Sequence, residues 1–89
     1  NLKNIFNYLN YPKLAIEMKL EGKVFVKFYV DSNGEVRNNS IKMLRGNPVF
    51  EEAAIKAVSR SGWHPAVSVS GDYIGSWMTV PINFNLKDR

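Results

Sequence analysis

His64 is the chain's one histidine. It is wedged between Trp63 and Pro65, with no Asp or Glu within three positions to orient it as a general base. Glu51 and Glu52 look like a carboxylate pair, but adjacent residues on a helix point in different directions. Acids near a helix start complement its positive dipole end, which is the better account of both. The serines have no partnered base to make them nucleophiles. No glycine-rich phosphate loop or metal-ligand spacing occurs, and without cysteine there is neither a disulfide framework nor a thiolate zinc site. The chain therefore reads as a non-enzyme, with no cofactor and no metal.

The residue with the strongest functional implication is Pro81. It interrupts Ile74–Leu86, where Met78, Val80, Ile82, Phe84 and Leu86 alternate as the inward face of a strand. Proline cannot donate to a sheet ladder, so it is tolerated at sheet edges. The spacing predicts that this last strand is an edge, with residues 79, 81 and 83 turning their backbone groups outward. Such an edge is either protected from aggregation or used to recruit another strand, and the sequence leaves both readings open.

The other elements must position that edge. Leu2, Ile5, Phe6 and Leu9 recur at helical spacing and suggest a short amphipathic turn within Asn1–Asn10. Pro12 suits the first turn of a helix over Lys13–Leu20, with Ala15 and Met18, and Leu14 as a further candidate, facing the core and Gly22 in the left-handed stop position. Lys23–Val30 sorts Val24, Val26, Phe28 and Val30 to one face, and Phe25, Lys27 and Tyr29 to the other, as a strand does. Asp31-Ser32-Asn33-Gly34 supplies turn chemistry, so Val36–Leu44 should return as an antiparallel partner. Asn38-Asn39-Ser40 is poor strand sequence, and a bulge or frayed pairing is expected there.

Asn47 and Pro48 open a second helix as N-cap and first residue. Phe50, Ala54, Ala57, Val58 and Ser61 line its inner face, and Gly62 ends it. A flexible loop is expected over Ala66–Tyr73 before the final strand. The order helix, strand, turn, strand, helix, strand implies an α+β, two-layer domain: a small antiparallel three-stranded sheet with two helices on one face. The opposite face would carry Phe25, Lys27, Tyr29, Trp77 and Thr79, more aromatic than solvation alone requires.

The 89 residues allow one domain, and the net charge of +4 is spread rather than blocked. A hydrophobic content of 45% is ordinary for a folded protein. No run approaches the roughly 18 apolar residues of a membrane span, and Asn1–Asn10 lacks the pattern of a signal peptide. The interleaved lysines and aromatics of Lys23–Phe28 resemble those of RNA-recognition sheets superficially. Those domains place a helix between their first two strands, whereas here a tight turn follows Val30. A half-buried strand with solubilising lysines is the better account, and no nucleic-acid partner is expected.

Taken together, six pieces in order resemble the TonB C-terminal domain family. They are Tyr11-Pro12 with Ala15, Gly22-x-Val24-x-Val26-x-Phe28-x-Val30, Asp31-x-x-Gly34-x-Val36, Phe50-Glu51-x-Ala53-Ala54, Trp63-x-Pro65 and Val80-Pro81-Ile82-x-Phe84-x-Leu86. The resemblance spans Tyr11–Leu86. One departure is Asn38-Asn39-Ser40, where the family places an apolar residue about three positions after the one matching Val36.

The resemblance implies a domain over residues 11–89, with residues 1–10 as an extension joining an upstream linker. It further implies a periplasmic location, tethered to the inner membrane in the full-length protein. The partners it implies are outer-membrane TonB-dependent transporters, whose N-terminal box adds as a strand, and an inner-membrane proton-driven motor. The family's contact positions carry over to Thr79, Pro81, Ile82 and Asn83, with Asn10, Tyr11 and Pro12 near the transporter. An alternative in the same fold is an interaction or scaffolding module of an envelope sensor or peptidase. A third arrangement is a homodimer through the exposed edge or the Phe25, Tyr29 and Trp77 face.

Overall fold

The computed structural model describes residues 9–88. The expected turn over Asn1–Asn10 therefore falls mostly outside the described residues; of it, Leu9 packs against the core and Asn10 is exposed.

Helix α1 spans Lys13–Glu17, one and a half turns rather than the two expected. Its end is a Schellman closure, in which Leu20 N–H donates to Ala15 O at 2.8 Å and Lys19 N–H to Ile16 O at 3.1 Å. The left-handed residue of that closure is Lys19, at φ 54°, and not Gly22, which opens the first strand. The early stop also corrects the expected inner face. Ala15 is fully buried, while Leu14 and Met18 are 56% and 58% exposed. A single small residue lets so short a helix lie close on the core.

Strand β1, Gly22–Val30, is the centre of a three-stranded antiparallel sheet in the order β2–β1–β5, where β2 is Lys42–Arg45 and β5 is Ser76–Phe84. Val24, Val26, Phe28 and Val30 are all fully buried, as alternation requires. The turn after β1 is organised by Asp31, whose Oδ1 accepts from Asn33 N–H at 2.9 Å and Glu35 N–H at 3.0 Å. Gly34 completes it at φ 83°, and a Cβ there would stand 2.6 Å from the Trp63 carbonyl oxygen.

The return strand is shorter than the Val36–Leu44 expected. Val36 makes one isolated bridge to Val30, Asn38–Ser40 forms a 3-10 turn, and regular pairing starts only at Lys42. Two polar side chains and a serine cannot supply an apolar face, and the Ser40 hydroxyl replaces a strand neighbour by accepting from Tyr29 N–H at 2.8 Å. A bulge between Phe25 and Val26 then leaves Leu44 as the extra residue opposite them.

Asn47 caps the second helix as expected, its side chain accepting from Val49 N–H at 3.0 Å. A 3-10 turn at Pro48–Phe50 leads into α2, Glu51–Arg60. Ala53, Ala54, Ala57 and Val58 are buried against the sheet. The last carbonyls of α2 are satisfied from downstream: Ser61 Oγ donates to Ala57 O at 2.7 Å, and Trp63 Nε1 to Val58 O at 3.0 Å. Phe50 stacks on Phe84 with centroids 4.2 Å apart, which ties the start of α2 to the end of β5.

Residues 66–73 do not form the loop expected. Ala66–Val67 (β3) and Tyr73–Ile74 (β4) pair as a small antiparallel ribbon whose tip is closed by Ser68 N–H donating to Asp72 O at 2.8 Å. The final strand accordingly begins at Ser76 rather than Ile74, and ends at Phe84, with Leu86 in a closing 3-10 turn.

Candidate functional site

Pro81 lies in β5, which pairs with β1 on one side and with no strand on the other among the described residues. Which way its backbone points follows from Tyr29. The Tyr29 N–H donates to Ser40 Oγ and its carbonyl accepts from Arg37 N–H at 2.9 Å, so both groups turn toward the β2 side. Alternation then turns the backbone of Val24, Val26 and Phe28 toward β5. Their register partners are Ile82, Val80 and Met78. Together with Ser76 opposite Val30 and Phe84 opposite Gly22, these residues hold the ladder, leaving Trp77, Thr79, Pro81 and Asn83 to present their backbone outward. Pro81 thus stands where no ladder bond is required of it. Three N–H groups and four carbonyls lie along that border.

The side chains of β5 sort the same way. Val80, Ile82 and Phe84 are buried, whereas Thr79, Pro81 and Asn83 are exposed and Trp77 is 58% exposed. Ile82 is only 2% exposed, so its side chain belongs to the core rather than to the border. The sequence-predicted positions therefore divide. Thr79, Pro81 and Asn83 share the outward side, and Ile82 anchors the strand beneath them.

Asn10, Tyr11 and Pro12 fall elsewhere. They line a cleft of about 270 Å³ with Val49, Glu52, Ala53 and Lys56. Tyr11 connects the two regions, its ring meeting Phe50 and Phe84 edge-on at 5.9 and 5.6 Å. Its hydroxyl donates to the Leu20 carbonyl. These contacts make Tyr11 a brace between the segment before α1, the start of α2 and the end of β5.

Phe25, Tyr29 and Trp77 do share the sheet face opposite the helices. Trp77 meets Tyr29 at 5.4 Å in a T-shaped contact. Lys27 Nζ lies 5.1 Å over the Trp77 ring, and the Arg37 guanidinium 4.6 Å over Tyr29. Sequence reasoning missed Arg37 here, because it expected a strand where the chain turns back beneath Tyr29. It also missed the ribbon, whose Val67, Val69, Tyr73 and Ile74 are exposed. Strands of two residues are too short to show a period.

The residues first considered for chemistry remain apart. His64 is exposed, Glu52 pairs with Lys56 at 3.0 Å along the outer side of α2, and Glu51 is exposed in the first turn. Among the described residues no group of three His, Cys, Asp or Glu is placed to hold a metal ion.

Comparison with known proteins gives a consistent result. The family model described as the Gram-negative bacterial TonB protein C-terminal matches residues 7–86. The protein tonB2 of Pseudomonas aeruginosa is 34% identical over 78 residues, covering 86% of this chain and 28% of that protein. A TonB protein of Xanthomonas campestris pv. campestris is 31% identical over 77 residues, with 86% and 34% covered. The chain thus spans about a third of the length of these relatives or less. A solution structure of the Helicobacter pylori TonB C-terminal domain superposes with a TM-score of 0.74 at 26% identity, covering 96% of this chain and 76% of that one. The C-terminal domain of Pseudomonas aeruginosa TonB gives 0.69 at 26% identity, with 91% and 81% covered. The family is a non-enzymatic one. With a matching family model over most of its length, two relatives above 30% identity and the same fold, the chain belongs to the Gram-negative TonB protein C-terminal family.

Proposed function

We propose that this domain is the partner-binding end of a periplasmic energy transducer. It takes the N-terminal box of an outer-membrane transporter as an additional strand along β5, and passes on force generated by a proton-driven motor in the inner membrane. The observation that carries this reading is the border of β5 that has no strand neighbour among the described residues, where Trp77, Thr79, Pro81 and Asn83 turn outward and the missing N–H belongs to the open side. Membership of the family supports the transducing role, and the tether to the inner membrane would lie in sequence outside this chain.

Strand addition suits such a task physically. Main-chain bonds supply the affinity, so side-chain demands are few and one domain can serve several transporters. A strand pulled along its own length loads all its inter-strand hydrogen bonds together. The complex can therefore carry force even with an equilibrium affinity of about micromolar order. Tyr11 and its neighbours Asn10 and Pro12 would lie near the transporter, while Ile82 and Phe84 hold the loaded strand to the core from beneath.

An NMR titration with transporter N-terminal peptides tests the proposal. Amide shifts should concentrate between residues 75 and 86, with little response at His64 or Glu51. Shifts centred instead on the cleft beside α2, with β5 silent, would sink it.

A further inference from the structure

Strands β1, β2 and β5 contain no acidic residue, yet their outer face carries a dense set of cations. Lys23 and Lys27 lie on that face of β1, Lys42 stands directly opposite Lys27, and Arg45 stands opposite Phe25. Arg37 adds its guanidinium over the Tyr29 ring. None of them is neutralised: among the described residues the ion pair formed is Lys56 with Glu52, on α2. The carboxylates lie elsewhere, with Asp31 and Glu35 in the turn, Asp72 in the ribbon tip and Glu21 accepting from Leu86 N–H at 2.8 Å.

The Lys27–Lys42 pair is the unusual element. Like charges directly opposite in a sheet destabilise it, and neither side chain is needed by the core, since both are exposed. The Lys27 ammonium is drawn over Trp77, which eases the repulsion without cancelling the charge. An anion seated between the two would remove the repulsion and gain two partners.

We propose that this face docks an acidic, extended segment of a partner protein, with a carboxylate at the Lys27–Lys42 pair and the segment lying over Trp77 and Phe25. The surface differs from the β5 border in its chemistry: the border offers backbone groups, the face offers cations and rings. Charge complementarity specifies the acidic character. Geometry specifies the extended peptide. Lys23 and Lys27, four residues apart on one strand, are separated by about 13 Å, the spacing of carboxylates at i and i+4 on an extended chain. The sheet is also three strands wide and twisted, a strip that a peptide can follow and a flat lipid surface cannot.

The test uses a short synthetic peptide of alternating Glu and Thr, its Gln-for-Glu analogue, vesicles containing phosphatidylglycerol and a single-stranded oligonucleotide. The acidic peptide should shift the Trp77 indole N–H and the amides of Lys27 and Lys42, and should weaken as salt is raised. The analogue should leave these signals unmoved. The double variant Lys27→Gln with Lys42→Gln should bind the acidic peptide at least about fivefold more weakly, with a thermal midpoint equal to or above that of the parent. Equal binding of the analogue, unchanged binding by the double variant, or tighter association with the vesicles or oligonucleotide overturns the proposal. None of these results bears on transporter boxes, whose binding to β5 is read separately with the double variant.

Discussion

Phe25 and Pro81 face each other across β1 and β5 at a pair that exchanges no ladder hydrogen bonds. The sheet therefore loses nothing at Pro81, and the missing N–H is missing only from the border that a visiting strand would meet. Replacing Pro81→Val restores an outward donor. Folding stability should change by no more than about 0.5 kcal/mol, while a docked strand gains one hydrogen bond of about 0.5–1.5 kcal/mol, or roughly two- to tenfold in affinity. One residue away the effect reverses. Val80 turns its N–H to β1, so Val80→Pro should cost about 1–3 kcal/mol of stability by orphaning a buried carbonyl. Chemical denaturation and calorimetric titration with a box peptide check both. Loss of binding in Pro81→Val would show that the partner reads the proline ring and not the backbone.

Lys19 holds a left-handed conformation at φ 54° while closing α1. A side chain there costs about 1–2 kcal/mol relative to glycine, less the extra chain entropy that glycine has in the unfolded state. Lys19→Gly should therefore raise stability by about 0.5–1 kcal/mol. An unfolding midpoint below that of the parent would contradict the closure described for this helix.

Two glycines separate backbone strain from crowding. Gly34 and Gly71 both have positive φ, at 83° and 91°, but an added Cβ meets the Trp63 carbonyl at Gly34 and open space at Gly71. Gly71→Ala should cost about 1 kcal/mol, from the backbone alone. Gly34→Ala adds an overpacking penalty of about 1–3 kcal/mol, and for a domain of this size each kcal/mol lowers the thermal midpoint by about 4–8 °C. Equal midpoints for the two variants would mean that the turn moves freely away from Trp63.

The parts legible in the sequence were those with a sustained period. Nine residues in β1 and nine in β5 alternate cleanly, and with Pro81 they define both the core and the outward border of β5. The poor strand sequence of Asn38-Asn39-Ser40 does signal the lost pairing there but not its extent: regular pairing starts only at Lys42, because the Ser40 hydroxyl serves Tyr29 N–H where a strand would have. Helical spacing places Met18 inward and makes Leu14 a further candidate, but a five-residue helix has room for only one inner position. The lysines and rings of the outer face are legible in the alternation of β1, but Arg37 and Arg45 join them only through a turn and a bulge, neither of which leaves a periodic trace.

Tyr11 joins both candidate regions, so its two roles must be separated. Its ring braces Phe50 and Phe84 edge-on, and its hydroxyl donates to the Leu20 carbonyl beside the α1 closure. Tyr11→Phe keeps the ring and removes the donor, which should cost about 0.5–1.5 kcal/mol. Tyr11→Ala also removes the ring, and should cost about 3–5 kcal/mol. If Tyr11 acts by bracing β5, Tyr11→Phe binds a box peptide as the parent does under conditions where both are fully folded. A tenfold loss in Tyr11→Phe, with circular dichroism showing an intact fold, would instead make the hydroxyl a direct contact to the partner and shift the binding surface toward the cleft of Asn10 and Pro12.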